Sequence, residues 1–236
     1  MLILLLFVVN ATMIHSYSLK FRGLKSVDRC MHSYRRKAAS AQFPEASLGY
    51  VDTHCHLFHR QFKGRVPEIY EISKSAGLEF VIINGLEPRT NRITLDMCHK
   101  YPEYLPALGI YPLEACCNVI DATNWQSTMN PPEKFDVDAE VDFIDDMCSQ
   151  KKIVAIGEAG LDAHYVNHPV IMKEQIRVLR KLMKLSVKHD IPIILHTRKA
   201  EERVLELLLE EKVKKADIHS FTGSVSIFIV INHELT

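Results

Sequence analysis

Six short apolar runs, kept apart by stretches of helical periodicity, constrain this chain more than any other feature. They read Tyr50–His54, Glu79–Gly85, Leu105–Ile110, Lys152–Gly157, Ile191–His196 and Lys215–His219. Between them lie helix-like segments at Arg65–Ala76, Arg89–His99, Val137–Ser149, His168–His189 and Lys199–Glu211. A longer loop with several Pro and Asn residues runs from about Glu114 to Phe135. Near-continuous apolar strands are buried on both faces, and parallel strands need a crossover such as a helix to join them. Strand–helix alternation therefore predicts an α/β domain whose parallel sheet is covered by helices.

Closing such a sheet produces a TIM-type (β/α) barrel, which uses eight βα units and about 250 residues. Six units end here at His219, so the expected fold is an incomplete barrel with about six of the eight. The α/β domain is expected over residues 49–224. Residues 1–48 read as a leader or disordered extension, and residues 225–236 as an atypical apolar tail. The leader starts apolar (Leu2 to Val9), too short to span a membrane. It resembles a signal-peptide core but has no basic residue before it. It continues with Lys20, Arg22, Lys25, Arg29, Arg35, Arg36 and Lys37 against the single acid Asp28, a bias that suits an organellar transit sequence. The expected location is cytoplasmic or organellar, with a weak secretory signal as the other reading of the leader, and no membrane partner is expected. A formal net charge of zero argues against a protein that coats nucleic acid, while leaving room for a local phosphate site. The six cysteines follow neither a disulfide framework nor a CxxC pattern, and Cys55 reads as a free buried thiol.

The chemistry-bearing residues sit where these runs end. His54 and His56, two apart, present both imidazoles to one face of a strand. Asp52 shares that face and is expected to ligate a metal or to orient a ligand. Glu158 follows the fourth run between Gly157 and Gly160, and a carboxylate there can bridge two ions. His196 and His219 each terminate a further run. Ligands at the C-terminal ends of successive parallel strands converge on one mouth, so the set reads as a metal centre. Arg198 either clamps a substrate phosphate or carboxylate or pairs with Glu201 or Glu202. Asp162 and Tyr165 are placed near the mouth. Lys151 and Lys152 precede a strand and belong to the opposite face, and His32, His99 and His189 have no matching context.

These pieces resemble the TatD family of metal-dependent deoxyribonucleases, within the amidohydrolase-like barrels. The resemblance rests on Asp52-Thr53-His54-Cys55-His56-Leu57, Gly109-Ile110-Tyr111-Pro112, Ile156-Gly157-Glu158-Ala159-Gly160-Leu161-Asp162, Gln175, Pro192–Ala200 and His219-Ser220-Phe221-Thr222-Gly223-Ser224. It implies that His54, His56, Glu158, His196 and His219 ligate two divalent ions (zinc, manganese or magnesium), with Glu158 bridging them. Glu158 and His219 are then the expected catalytic residues. Arg198, Tyr111 and Asp162 are the expected substrate contacts, and single-stranded DNA acted on by a monomer is the expected partner. Tyr111 stands where the family usually has a histidine, and the family's later Glu-Thr-Asp motif has no counterpart after Ser224. Two other readings stay open: a hydrolase of another ester or amide, and a truncated, catalytically impaired product.

Overall fold

The computed structural model describes residues 49–221, Gln126 apart; the leader and the apolar tail lie outside them. Six strands alternate with helices as the periodicity predicts. They are β1 (Tyr50–Cys55), β2 (Leu78–Asn84), β3 (Tyr104–Leu108), β4 (Ala155–Gly160), β5 (Ile193–His196) and β6 (Ala216–Ile218). The α-helices are α1 (Val66–Ser75), α2 (Pro88–Lys100), α3 (Pro112–Ala115), α4 (Val137–Ser149), α5 (Pro169–His189) and α6 (Glu201–Glu210). The strands form one parallel sheet in chain order, β1 to β6.

That sheet is curled rather than flat. β1 and β6 stand at opposite ends of the strand order, yet the Thr53 hydroxyl donates to Asp217 at 2.9 Å. The His54 and His219 rings stack at 3.8 Å, nearly parallel at 5°. Side chains of the first and last described strands thus meet across the concave face, which makes the described residues a curled half-barrel. The sequence-based expectation of about six βα units in a TIM-type arrangement agrees with it.

The core lies mainly between the sheet and α4, α5 and α6. α5 shows why a helix forms there. Pro169 occupies its first turn, where a missing N–H costs nothing, and the His168 side chain accepts from the Val170 amide. Ile171, Gln175, Val178, Leu179, Leu182 and Ser186 recur at helical spacing and are buried. Asp190, in the left-handed conformation at φ 55°, ends it. α2 begins with a capping box, in which the Glu87 carboxylate accepts from the Thr90 amide and Thr90 Oγ1 accepts from the Glu87 amide. A second apolar layer, built on Leu57, Val81, Ile83, Met97 and Tyr104, joins β1 and β2 to α1 and α2. Cys55 packs against that layer, and its thiol is free.

Two differences from the sequence reading bear on the site. α3 starts just before the segment read as a loop and runs into it at Glu114 and Ala115, because Pro112 is pre-organised for a first helical turn after the extended Tyr111. β4 begins at Ala155 and runs on to Gly160, so Glu158 lies within the strand rather than after it. The physical reason is pairing with β5: Ala159 and Gly160 join Leu195 and His196 beyond an irregularity in the ladder. No described helix is long and apolar enough to cross a membrane.

Candidate metal centre

Six parallel strands place their C-terminal ends on one rim, and the sequence-predicted histidines gather there around one carboxylate. Glu158 is 3% exposed. Its Oε2 lies 3.0 Å from His56 Nε2 and 3.5 Å from His54 Nε2. Its Oε1 lies 3.1 Å from His196 Nδ1 and 3.0 Å from His219 Nε2. Each carboxylate oxygen therefore serves a pair of imidazoles, one pair from β1 and the other from β5 and β6. His219 sits one residue beyond β6, held in register because its amide donates to the Leu195 carbonyl.

Glycine makes this convergence feasible. Gly160 sits at φ +144°, and a Cβ there would lie 1.9 Å from the His196 carbonyl oxygen. A Cβ on Gly109 would lie 2.3 Å from the Glu158 carbonyl oxygen. β4 can approach its neighbours closely only without side chains at these points.

The electrostatics follow from burial opposed by partners. Burial pushes the Glu158 carboxyl up, but hydrogen bonds from His196, His219, His54 and His56 overcome it and hold it well below the usual range. Burial pushes His54 down to about 4 despite the same carboxylate, so it is neutral and carries a nitrogen lone pair. Burial also lowers His56, yet Glu158 and the Asn84 carbonyl raise it above the ordinary value. His196, opposed by burial but paired with Asp162 and Glu158, rises to about 9. Two largely buried imidazoles that face one carboxylate, His54 and His196, are thus set apart with the help of a second carboxylate, Asp162.

The donor set suits a divalent ion. His54, Glu158 and His219 offer ligand atoms that all lie within 4.8 Å of one another. His56 and His196 bring further nitrogens to the same carboxylate. A neutral imidazole, as at His54, and an ionised carboxylate, as at Glu158, are the ligand states that zinc and manganese require. His56 and His196 would release their protons on binding. The neighbours hold these rings in place. His56 Nδ1 lies 2.8 Å from the Asn84 carbonyl oxygen, and His196 Nε2 lies 2.9 Å from Asp162 Oδ2.

The other predicted residues separate. Asp162 is fully buried and supports His196, and its own amide donates to Gln175 Oε1 at 2.9 Å. Tyr111 meets the His196 ring edge-on at 5.1 Å. Arg198 lies with its guanidinium 4.8 Å above the Tyr165 ring. Asp52 is not among the groups that meet Glu158: its carboxylate accepts from the His54 amide at 3.0 Å, beside an irregularity of β1 between Asp52 and Cys55. Burial, with Asp217 nearby, raises its pKa despite that hydrogen bond. Lys151 and Lys152 are exposed before β4, His99 is exposed, and His189 pairs with Asp145 at 2.5 Å. His32 lies outside the described residues. Asn84 was missed by sequence reasoning; its signal was a polar residue closing the apolar run Val81-Ile82-Ile83.

With the geometry in view, comparison with known proteins decides the family, since the TatD related DNase profile matches residues 51–231. The chain belongs to the TatD-related DNase family. It is similar to the uncharacterized metal-dependent hydrolase YabD of Bacillus subtilis, 29% identical over 178 residues, covering 75% of this chain and 62% of that protein. It is 25% identical over 191 residues to human deoxyribonuclease TATDN3, covering 77% and 64%. To the 3'-5' ssDNA/RNA exonuclease TatD of Escherichia fergusonii it is 26% identical over 175 residues, covering 73% and 60%. Among solved structures, the TatD homologue YjjV of Escherichia coli superposes with a TM-score of 0.60 at 22% identity, covering 75% of this chain and 62% of that one. The chain thus spans less than two thirds of the length of these relatives.

Proposed function

We propose that this chain carries the metal centre of a phosphodiester hydrolase acting on DNA. The observation that carries the reading is Glu158, each of whose oxygens faces two imidazoles. Such an arrangement would let Glu158 be shared between two ions, which His54, His56, His196 and His219 would hold together with it. When bound, zinc, manganese or magnesium would supply an activated water at neutral pH and offset charge on the phosphoryl oxygens. The protein's own part is positional. Glu158, the proposed catalytic carboxylate, stays ionised among the histidines. His219, the second proposed catalytic residue, is fixed by stacking on His54. Asp162 keeps the His196 ring in one orientation. Arg198, exposed at the rim, is placed to meet a phosphate. Tyr111 borders His196, where a substrate group would lie. A neutral overall charge fits a mouth that takes a few nucleotides of a single strand better than a long duplex track.

The test is hydrolysis of single-stranded DNA by the full chain with zinc, manganese or magnesium, beside Glu158→Gln and a metal count on both proteins. Expected is turnover that needs metal and falls by about three orders of magnitude in the variant, which retains fewer ions. Turnover of a small ester with none of DNA would replace the substrate class. Undiminished cleavage by the variant would remove Glu158 from its role.

A further inference from the structure

We propose that His164, Tyr165 and Arg198 form a nucleobase-stacking shelf beside the metal centre. The inference rests on the phosphodiester reading above and adds to it what would hold the base next to the phosphate.

The shelf is built from the site outward. Asp162 is fully buried and uses both carboxylate oxygens. Oδ2 meets His196 Nε2 at 2.9 Å, while Oδ1 accepts from the amides of His164 at 2.8 Å and Tyr165 at 2.9 Å. One carboxylate therefore fixes a metal-site imidazole and the loop that carries two aromatic rings. A second clip joins this loop to the one after β5, where the Ala163 amide donates to the Arg198 carbonyl at 3.0 Å.

The side chains on this frame are three planar groups. The Tyr165 ring packs against the small apolar cluster of Leu113, Cys116, Val166 and Ile171, which holds it still. The Arg198 guanidinium covers it at 4.8 Å, and His164 meets it edge-on at 5.1 Å and 66°. His164 and Arg198 are themselves exposed. A rigid aromatic ring, a guanidinium stacked on it and an exposed imidazole are the groups on which unpaired bases stack. A guanidinium so placed can present its face to a base while its edge N–H groups reach the adjoining phosphate. Arg198 follows His196 by two residues on the loop that leaves β5, which ties the shelf to the metal-site histidine. Bases inside a duplex hide their faces, so a shelf of this kind selects single strands.

The experiment measures binding apart from cleavage. A short fluorescein-labelled phosphorothioate oligothymidylate resists hydrolysis, and an abasic strand with the same backbone lacks only the bases. Anisotropy is read with the full chain as purified. Expected is about tenfold tighter binding of the base-bearing strand. His164→Ala and Tyr165→Leu should shrink that preference several-fold while leaving affinity for the abasic strand unchanged, and Tyr165→Phe should keep it. Equal affinity of the unaltered protein for both strands overturns the shelf, as does a preference that survives in His164→Ala and Tyr165→Leu alike. Cleavage of ordinary strands is scored separately. Base-dependent binding without cleavage would sink the hydrolase reading and leave the shelf standing; cleavage without base preference would do the reverse.

Discussion

β4 and β1 each deliver part of the metal centre, yet β4 is buried along all six residues whereas every residue of β1 is partly exposed. The helices beside them differ in the same way. α5 buries a long stripe against β4 and β5, while α1, which follows β1, has no fully buried residue. Glu158 and His196 thus stand on a packed floor, and His54 and His56 arrive on an edge of the described sheet. The lesson is that the carboxylate is preset by packing, while the first histidine pair is held by what it meets in the site: Glu158, the Asn84 carbonyl and the stacked His219. A ligand joining these groups would stabilise the β1 side more than the β4 side, because only a partner of the native state adds to its stability.

The contrast is broken most directly in the core. Leu182, on α5, is fully buried. Leu182→Ala should cost about 2–5 kcal/mol in denaturant unfolding, from lost transfer and the cavity left behind. Ile72, on α1, is 58% exposed. Ile72→Ala should change stability by no more than about 0.5 kcal/mol. Similar costs at both sites would erase the distinction between floor and edge.

Metal sharpens it next. Zinc or manganese at about a hundredfold its Kd should stabilise the chain by about 2.7 kcal/mol, raising the melting temperature. Hydrogen exchange should slow more in residues 50–56 than in 155–160. Equal protection of both segments would mean that β1 is already as firm as β4 without metal.

The smallest effect concerns Glu114 in α3, the short helix that follows β3. Burial, with Glu87 and Glu133 nearby, pushes its carboxyl up to about 7. A folded pKa above the unfolded value means the native state binds the extra proton. Stability from this group is therefore full below about pH 4.5 and is lost as the pH rises through about 7. Glu114→Gln should flatten that decline in melting temperature between about pH 5 and 8, by less than Leu182→Ala costs. An unchanged slope would place the proton elsewhere.

What the residues spelled out in advance was periodic or positional. Runs such as Val81-Ile82-Ile83 and Ile193-Ile194-Leu195, spaced by helical stripes like that of α5, specify parallel strands under helices, since only that arrangement buries both faces of each strand. Position at a strand's end also placed His54, His56, His196 and His219 on one rim, because parallel strands share a direction, whereas Glu158 reaches it from within β4. What tertiary structure alone decided was who meets whom across the curl. The sharing of Glu158 between two histidine pairs, the stacking of His54 on His219, the Thr53–Asp217 hydrogen bond and the two-sided use of Asp162 all depend on how separate elements come together. Local pattern fixes which way a side chain points along its own strand. Curvature of the sheet, an irregular β1 and glycines that let β4 approach its neighbours fix how far apart those side chains end, and these are properties of the packed whole.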